Sequence, residues 1–297
     1  MSDITPRTVR IATAGLSATI STRGAELVRL QDGGGRDLLW DGDPAFWTGR
    51  APLLFPIVGR LADDRLEVDG VTYPMKQHGI ARTRLFTVVE EASDAVRFRL
   101  RDDDETRAQY PFAFTLDAVY HLHGPSLTVA LEVANTGTEL LPASAGFHPA
   151  FSWPLPYGAP REAHRVTFAE KETGALRRVS GGLLTPEHHP NPVQGRVLPL
   201  ADSLFVDDAL VFLDPVSRSV RYGAPDHPGL RVDFPHMPQL GLWTKPGAGF
   251  LCIEPWSGYA SPQDFTGPFA AKPGLTHVPP GATHSFAFTV TLEPPAP

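Results

Sequence analysis

Several features are scarce or missing in this sequence, and each absence removes a class of function. The only cysteine among 297 residues is Cys252, which excludes an internal disulfide and any metal site built from several cysteines. No run of about 18 apolar residues is present, so a membrane-spanning helix is not expected. The chain also has no excess of positive charge, because its 26 Lys and Arg residues are outnumbered by 33 Asp and Glu residues, which gives a net charge of -7. We therefore expect no nucleic-acid partner and no membrane partner.

Signals for targeting and for cofactors are also missing. No long apolar run follows a basic segment near the start of the sequence, so the expected location is cytoplasmic. Gly33-Gly34-Gly35 is not followed by a Lys-Ser or Lys-Thr pair, which argues against a phosphate loop. His188 and His189 are adjacent on an extended segment and would point to opposite faces, which argues against a metal site. We expect no metal and no other cofactor.

What the chain does have is the pattern of β structure. With 31 prolines and 27 glycines, long helices have little room. The sequence predicts an all-β fold, a large antiparallel β-sandwich with few short helices, formed by a single domain over residues 1–297. Single helical turns are expected at Pro44–Trp47 and Asp102–Ala108. The segment Gly174–Gly195 is expected to run over the surface and not to link two domains.

Turn signals and the alternation of polar and apolar residues locate the expected strands. Asp69-Gly70 between two short β-prone runs is a strong hairpin signal, and Thr115–Tyr120 alternates clearly. The strands predicted in this way are Thr8–Ala12, Leu16–Ser21, Arg65–Val68, Val71–Pro74, Leu85–Glu90, Ala95–Arg101, Phe112–His123, Ser126–Asn135, Ser219–Tyr222, Leu230–Phe234, Leu240–Trp243 and Ser285–Leu292.

One carboxylate is a candidate catalytic group, since Glu254 lies inside the apolar run Phe250–Gly258. A buried carboxylate costs free energy unless it is paired, and burial raises its pKa toward the range that suits a general base. The alternative is a structural glutamate at a strand end that pairs with an arginine. Two histidines in similar settings, His78 and His148, shift the balance toward function, because histidine donates and recovers protons near neutral pH.

Five runs in the same order along the chain carry a resemblance to a known family. They are Ala51–Arg60, Gln77–Gly79, Gly146–Phe151, Leu204–Leu210 and Cys252–Trp256. From about Gly24 onward the sequence resembles the aldose 1-epimerase (galactose mutarotase-like) family, and more narrowly its bacterial LacX-like branch. The resemblance implies the supersandwich form of the β fold. It also implies an isomerase that interconverts the α and β anomers of a hexose without a metal or a nucleotide.

The resemblance also implies roles for individual residues. In the family, the histidine of the His-Pro run is the general acid on the sugar ring oxygen, a role that falls on His148. The late glutamate is the general base that takes the anomeric hydroxyl proton, which falls on Glu254. Two further residues bind and polarise the sugar in the family, and they correspond to His78 and Arg60. Of these, His78 is expected to be a catalytic residue and Arg60 a substrate-binding residue.

The sugar-binding residues are less sharply defined. The family's mid-chain aspartate holds sugar hydroxyls, and here Asp207 and Asp208 both fit that role, with Asp208 favoured. Trp243 and Phe151 are the aromatic residues that we expect to stack on the C–H face of a sugar. The chain departs from the family where an Asn-Arg pair usually follows the Gly-Arg pair, because it reads Leu61–Arg65 there. This departure bears on the identity of the sugar more than on the reaction.

Three functions stay open at the level of the sequence. The first is a mutarotase for a free hexose, and the second is a mutarotase for a hexose 6-phosphate, for which Arg60, Arg82 and Arg84 supply a basic cluster. The third is a non-catalytic sugar-binding or regulatory protein of the same fold. A glycosidase would need a second catalytic carboxylate in addition to Glu254, and Asp207 or Asp208 could supply it. The expected partner is a small-molecule sugar, and the oligomeric state, monomer or dimer, is left open.

Overall fold

The computed structural model describes residues 5–295, and antiparallel strands form most of it. The strands are β1 (Thr8–Ala12), β2 (Leu16–Ser21), β3 (Leu27–Asp32), β4 (Leu53–Leu54), β5 (Arg65–Val68), β6 (Val71–Pro74), β7 (Thr87–Glu91), β8 (Ala95–Arg101), β9 (Phe114–His123), β10 (Ser126–Asn135), β11 (Leu141–Ala143), β12 (Ala145–Phe147), β13 (Ala150–Ser152), β14 (Arg165–Phe168), β15 (Val179–Ser180), β16 (Leu183–Leu184), β17 (Val197–Pro199), β18 (Leu210–Phe212), β19 (Ser219–Gly223), β20 (Gly229–Asp233), β21 (Gln239–Trp243), β22 (Phe250–Ser257), β23 (Thr276–Val278) and β24 (Thr283–Glu293).

Helical structure in the described residues is short. The α-helix there is α1 (Asp104–Arg107). The 3₁₀ turns are Ala62–Asp64, Ala81–Thr83, Arg161–Ala163, Asp202–Phe205 and Phe269–Ala271. No helix within residues 5–295 is both long and apolar enough to cross a membrane.

The larger of the two main sheets has nine strands in the order β17-β14-β19-β20-β24-β10-β9-β8-β7. Its inner strand β10 pairs antiparallel with β9 on one side and with the central strand β24 on the other. Burial alternates along all ten residues of β10, so that Leu127, Val129, Leu131 and Val133 point into the main core. This period of two covers one face of the sheet with apolar side chains and leaves polar ones on the other.

The second main sheet, in the order β18-β21-β22-β12-β4 with β13 also paired to β22, carries the candidate site. Its central strand β22 is buried at all eight positions. Leu251 and Ile253 belong to the main core, whereas Cys252 and Trp256 belong to smaller apolar clusters on the opposite face. Because side chains alternate along a strand, Glu254 shares the face of Cys252 and Trp256 and points away from the main core.

The structure confirms the predicted fold class, an all-β antiparallel architecture with few short helices. Each predicted strand is present, with ends that lie within two residues of the prediction. The structure adds strands of two or three residues, such as β4, β12 and β13. No periodicity can predict strands of this length, because alternation needs at least four residues to become visible.

The two predicted helical turns have different outcomes. Residues of Asp102–Ala108 form α1, which begins with a reciprocal capping box between Asp103 and Thr106. In Pro44–Trp47 the amides of Phe46 and Trp47 both donate to the carbonyl of Asp43, but the segment is a turn and not a helix.

The excursion Gly174–Gly195 differs from its prediction in one respect. It does not lie only on the outer surface, because β15 and β16 form a small hairpin over one side of a cavity that Val179, Gly182 and Leu184 help to line. Leu176 and Leu184 are buried beneath it. The hairpin is thus part of a wall of the candidate site.

Candidate active site

A cavity of about 340 Å³ opens on the face of β22 that carries Glu254. This volume lies in the range of small-molecule sites. Its polar lining consists of Gln77, His78, Arg82, His148, Asp208 and Glu254. Its aromatic lining consists of Trp47, Trp243, Trp256 and Tyr259. The cavity therefore combines titratable groups with aromatic faces, the combination that binding of a polar ring with C–H faces requires.

A break between two short strands places His148 beside Glu254. Strand β12 pairs with residues 256–257 of β22, and strand β13 pairs with residues 250–252. The dipeptide His148-Pro149 connects the two strands and crosses the part of β22 that neither of them pairs with. There the amide of Ile253 donates to the carbonyl of Pro149 over 3.3 Å. The backbone of one rigid sheet thus sets the position of both side chains.

Glu254 and His148 form a buried pair of uncharged groups. The side chains are 2% and 10% exposed, and Glu254 Oε2 lies 3.3 Å from His148 Nε2. Burial raises the pKa of the Glu254 carboxyl well above its ordinary 4.5, and the nearby Asp208 adds to the rise. Burial also lowers the pKa of His148 well below its ordinary 6.5, and repulsion from His78 adds to that. Because both groups favour their neutral forms, this contact is not an ion pair in the unliganded protein.

His78 is held in one ring orientation by its backbone conformation and by a hydrogen bond from a neighbouring amide. It adopts a left-handed backbone with φ of 66°, and its Nδ1 accepts a hydrogen bond from the amide of Gly59 over 3.2 Å. Desolvation lowers the pKa of His78 to about 3, with a further contribution from Arg82. A neutral ring whose Nδ1 accepts must carry its proton on Nε2. His78 is therefore an N–H donor at Nε2, which lies 3.4 Å from the side-chain amide of Gln77, and its ring centroid lies 5.6 Å from that of His148.

Gly79 is required next to His78 for a steric reason. A Cβ atom at this position would lie 2.2 Å from the carbonyl oxygen of Phe55. The φ of Gly79 is 77°, and the two residues form a bridge between chain segments. The Gln77-His78-Gly79 run thus has its sequence because the turn passes directly over the backbone of Phe55.

Three buried polar atoms around the cavity have no hydrogen-bond partner within the described chain. They are His148 Nδ1, Glu254 Oε2 and Trp256 Nε1, and they make up three of the five such atoms found in residues 5–295. The Trp256 indole lies near the Glu254 carboxyl, but the two form no hydrogen bond of good geometry. An unsatisfied buried polar group costs about 1–3 kcal/mol, so three of them around one cavity indicate a place for a hydrogen-bonding ligand.

Aromatic rings form one wall of the cavity and pack against the acid candidate. The Trp47 ring lies over that of His148 with centroids 4.9 Å apart and planes inclined by 33°. Trp243 meets Trp47 edge to face at 5.5 Å. A hydrogen bond from Trp40 Nε1 to the carbonyl of Trp47 fixes this loop over 2.8 Å. These contacts limit the rotation of the His148 ring and exclude water from one side of it.

Five of the residues predicted from the sequence line this one cavity. They are His78, His148, Asp208, Trp243 and Glu254. Of the two adjacent aspartates, Asp208 faces the cavity with a left-handed backbone at φ of 69°, whereas Asp207 is exposed and is not part of the lining. The geometry therefore favours Asp208.

Two of the predicted site residues, Phe151 and Arg60, do not line this cavity. Phe151 is fully buried in the main core and does not reach the cavity, because it points to the opposite face of β13 from Ala150. Arg60 is held outside the cavity lining by its ion pair with Asp64, in which Nε and Oδ1 lie 2.5 Å apart. Its Nη1 also donates to the carbonyl of Gly181, over 3.2 Å. Arg60 thus fastens the hairpin turn and is not placed on a ligand.

Several lining residues were not among the predicted site residues. Arg82, which the sequence suggested only as part of a basic cluster for a 6-phosphate, lies in the 3₁₀ turn Ala81–Thr83. Unlike Arg60 and Arg84, it forms no ion pair with a carboxylate in residues 5–295. Trp256 lies two residues after Glu254 and so shares its face, a signal that was visible in the strand pattern. Trp47 had no local signal, because its place depends on how a loop packs on a distant strand.

One set of side chains could hold a metal ion. The ligand atoms of His148, Cys252 and Glu254 lie within 4.8 Å of one another, and all three residues are buried. This group overlaps the acid and base candidates.

Comparison with known proteins places this site in a family. The family profile described as aldose 1-epimerase matches residues 7–290. The plasmid-encoded protein LacX of Lactococcus lactis subsp. lactis is 32% identical over 296 residues, which cover 96% of this chain and 99% of LacX.

Solved structures agree with the family profile. A galactose mutarotase related enzyme from Lactobacillus acidophilus has a TM-score of 0.89 and 29% identity, with 97% of each chain covered. A galactose mutarotase-like protein from Lactobacillus casei has a TM-score of 0.88 and 28% identity, and the match covers 97% of this chain and all of that one. With the profile matched over nearly its whole length and relatives of the same size and fold, this chain belongs to the aldose 1-epimerase family.

Proposed function

We propose that this protein is an aldose 1-epimerase that interconverts the α and β anomers of a hexose. The observation that carries the proposal is the buried pair of His148 and Glu254 with its unpartnered polar atoms, which opens on a cavity of suitable size. The reaction needs one group that takes a proton from the C1 hydroxyl and one that gives a proton to the ring oxygen. The pair supplies both.

The proposed steps balance without any other reactant. In the unliganded pair Glu254 holds the proton, and in this proposal that proton passes to His148 across their 3.3 Å contact when the sugar binds. Glu254 then removes the proton of the C1 hydroxyl while His148 donates a proton to the ring oxygen, the bond between C1 and that oxygen breaks, and C1 becomes an aldehyde. The aldehyde then rotates about the C1–C2 bond. Ring closure on its other face moves the proton of Glu254 to the aldehyde oxygen and the proton of the C5 hydroxyl back to His148, and it gives the other anomer. The raised pKa of Glu254 makes it a stronger base than an exposed glutamate, which favours the first proton transfer.

The neighbouring side chains stabilise the reacting sugar in this proposal. The fixed Nε2–H of His78 donates to the ring oxygen or an adjacent hydroxyl and stabilises the negative charge that develops there. The exposed carboxylate of Asp208 accepts from sugar hydroxyls at the rim of the cavity. Trp47 and Trp243 cover the C–H face of the ring. The hydroxyls of the sugar also satisfy the polar atoms that lack partners in the protein alone.

Anomer exchange measured by polarimetry or by NMR exchange spectroscopy tests the proposal. Wild-type protein is expected to accelerate interconversion of glucose or galactose, and Glu254→Gln is expected to lose that acceleration. Asp207→Asn is the matched control, since Asp207 is adjacent to the cavity but does not line it. Binding of the sugar without acceleration by the wild type would refute the proposed enzyme and leave a sugar-binding protein.

A specific observation favours a hexose 6-phosphate as the second candidate substrate. Arg82 lines the cavity without a carboxylate partner in the described residues, whereas Arg84 is paired with Glu105. A hydrogen bond between charged groups contributes about 1.5–3 kcal/mol, which is on the order of 10- to 150-fold in affinity. Arg82→Met should therefore raise KM for the 6-phosphate at least tenfold and leave KM for the free hexose nearly unchanged. Equal effects on both sugars would argue against phosphate recognition, and Arg84→Met is the control.

A further inference from the structure

A second chemistry is available beside the cavity, at a buried residue near the proposed base. Cys252 lies two positions before Glu254 on β22, on the same face of the strand, and is fully buried. Opposite it lie Ala150 of β13 and Trp243 of β21. His148 reaches this face from the break between β12 and β13. The thiol and the carboxyl group of β22 therefore converge with the imidazole of the segment between β12 and β13.

We propose that His148, Cys252 and Glu254 form a binding site for Zn²⁺, in which the ion occupies the proposed acid and base and blocks anomer interconversion. The donor set is one nitrogen, one sulfur and one oxygen, which suits a borderline-soft divalent cation and does not suit Mg²⁺ or Ca²⁺. Three protein ligands leave a fourth position, which would face the cavity. The inhibition part of this proposal rests on the proposed function, and the binding part does not.

The observed distances fit the ion. Nitrogen and oxygen ligands about 2.0–2.1 Å from a tetrahedral Zn²⁺ lie about 3.3 Å apart. The distance from His148 Nε2 to Glu254 Oε2 is 3.3 Å. A sulfur ligand at about 2.3 Å lies about 3.6 Å from a nitrogen ligand. The ligand atoms of the three residues are within 4.8 Å of one another, so a shift of about 1 Å in the Cys252 side chain completes the site.

The unpartnered atom of the base candidate supports the site independently of the cysteine. Glu254 is 2% exposed and its Oε2 has no hydrogen-bond partner within the described chain. A metal ion would satisfy this oxygen.

Charge also balances at this site. Binding displaces the thiol proton of Cys252 and the carboxyl proton of Glu254 to solvent, so the dication meets two anionic ligands and one neutral imidazole. No net charge is then buried.

Spectroscopy on the intact, tag-free protein gives the most direct test. Co²⁺ in place of Zn²⁺ should produce a near-ultraviolet thiolate-to-metal charge-transfer band. Cys252 is the only cysteine of the chain, so this band can have only one source. Its absence at saturating Co²⁺ would overturn the proposal. This measurement needs no substitution and no enzymatic activity.

Calorimetric titration with Zn²⁺ alone then assigns the ligands. Cys252→Ala and Glu254→Gln are each expected to weaken Zn²⁺ binding at least tenfold, with Mg²⁺ giving no heat in any variant. Cys252→Ser keeps the size of the side chain and guards against a loss of folding, which a thermal melt checks. The paired variant His188→Ala with His189→Ala is the control, because those histidines lie on the excursion outside the cavity lining. Unchanged affinity in Cys252→Ala, or loss of binding only in the His188 and His189 control, would contradict the site.

The functional half of the proposal has its own readout. Zn²⁺ is expected to inhibit anomer interconversion by wild type and to do so at least tenfold less effectively in Cys252→Ser, whose uninhibited rate should remain measurable. Equal inhibition of both proteins refutes the inhibitory role. Zn²⁺ binding by a protein without mutarotase activity would sink the proposed function while supporting the metal site.

Discussion

Replacing Glu254 by glutamine is expected to lower kcat for anomer interconversion by about 10²- to 10⁴-fold, the usual contribution of a general base. At about 1.36 kcal/mol for each factor of ten, the loss corresponds to roughly 2.7–5.4 kcal/mol of transition-state stabilisation. The structure places the effect toward the upper end. Glu254 is 2% exposed, so a water molecule cannot easily replace the carboxylate as base, and the other nearby carboxylate, Asp208, lies on an exposed loop.

The same substitution makes a separate prediction about stability. Burial raises the pKa of Glu254 in the folded protein above 4.5, so the folded state holds its proton more tightly than the unfolded state does. The stability that this contributes is present below pH 4.5 and is lost as the pH rises through the raised pKa. Glu254→Gln cannot ionise, and its free energy of unfolding relative to wild type should therefore increase as the pH rises above 4.5. Denaturant titrations at several pH values measure this difference.

A double variant tests whether the acid and the base act as one unit. His148→Gln is expected to lose a similar factor in kcat, and the double variant His148→Gln with Glu254→Gln should lose little more than the worse single variant. NMR exchange at saturating sugar supplies kcat for all three. Glu254→Gln activity within fivefold of wild type would refute the assignment of the base. Losses that multiply in the double variant would refute the concerted pair.

Further substitutions test the supporting structure. Gly79→Ala should lower the free energy of unfolding by about 2–4 kcal/mol, because its Cβ would lie 2.2 Å from Phe55 O. Gly70→Ala is the control, since Gly70 has open space around it, and it should cost about 1 kcal/mol. Denaturant titrations measure both values. The pKa of His78 is about 3 in the folded protein and near 6.5 in the unfolded protein. Unfolded chains therefore bind an extra proton between these values, and the free energy of unfolding falls as the pH drops from 6.5 to 3. His78→Gln should flatten this dependence on pH, and an unchanged slope would contradict the lowered pKa. Arg60→Met should leave kcat within twofold and raise KM less than tenfold in steady-state assays, whereas a larger rise would indicate direct contact with the sugar.

The hairpins could be predicted from the sequence because their signals are local. Asp69-Gly70 joins β5 and β6, and both residues have positive φ, the conformation that this hairpin turn requires. The turn alone fixes the register of such a pair. The break between β12 and β13 could not be predicted in this way, because it exists only where both strands meet β22, about a hundred residues later in the chain.

The candidate site was predictable where one residue was unusual for its surroundings. Glu254 in an apolar run is such a residue, and the structure places it in the cavity. Two predicted residues lie outside the cavity lining, one because of the direction of its side chain and the other because of its ion-pair partner. The period of two on β13 separates Ala150 from Phe151, so the nearer aromatic residue points into the core. Arg60 has a carboxylate four residues away that engages it, which sequence spacing in a loop does not reveal.

The break in pairing beside β22 separates the residues proposed to carry out the reaction from the residues that would select the substrate. His148 and Glu254 are anchored by the backbone of a sheet, whereas another part of the cavity lining comes from the hairpin of β15 and β16 and from the loop that carries Asp208. Loops accept substitutions and insertions that a buried sheet does not. In the proposed enzyme, a new sugar preference can therefore arise through changes in the loops alone, while the proposed acid and base keep their places. Such an arrangement lets one reaction be inherited intact as its substrate changes.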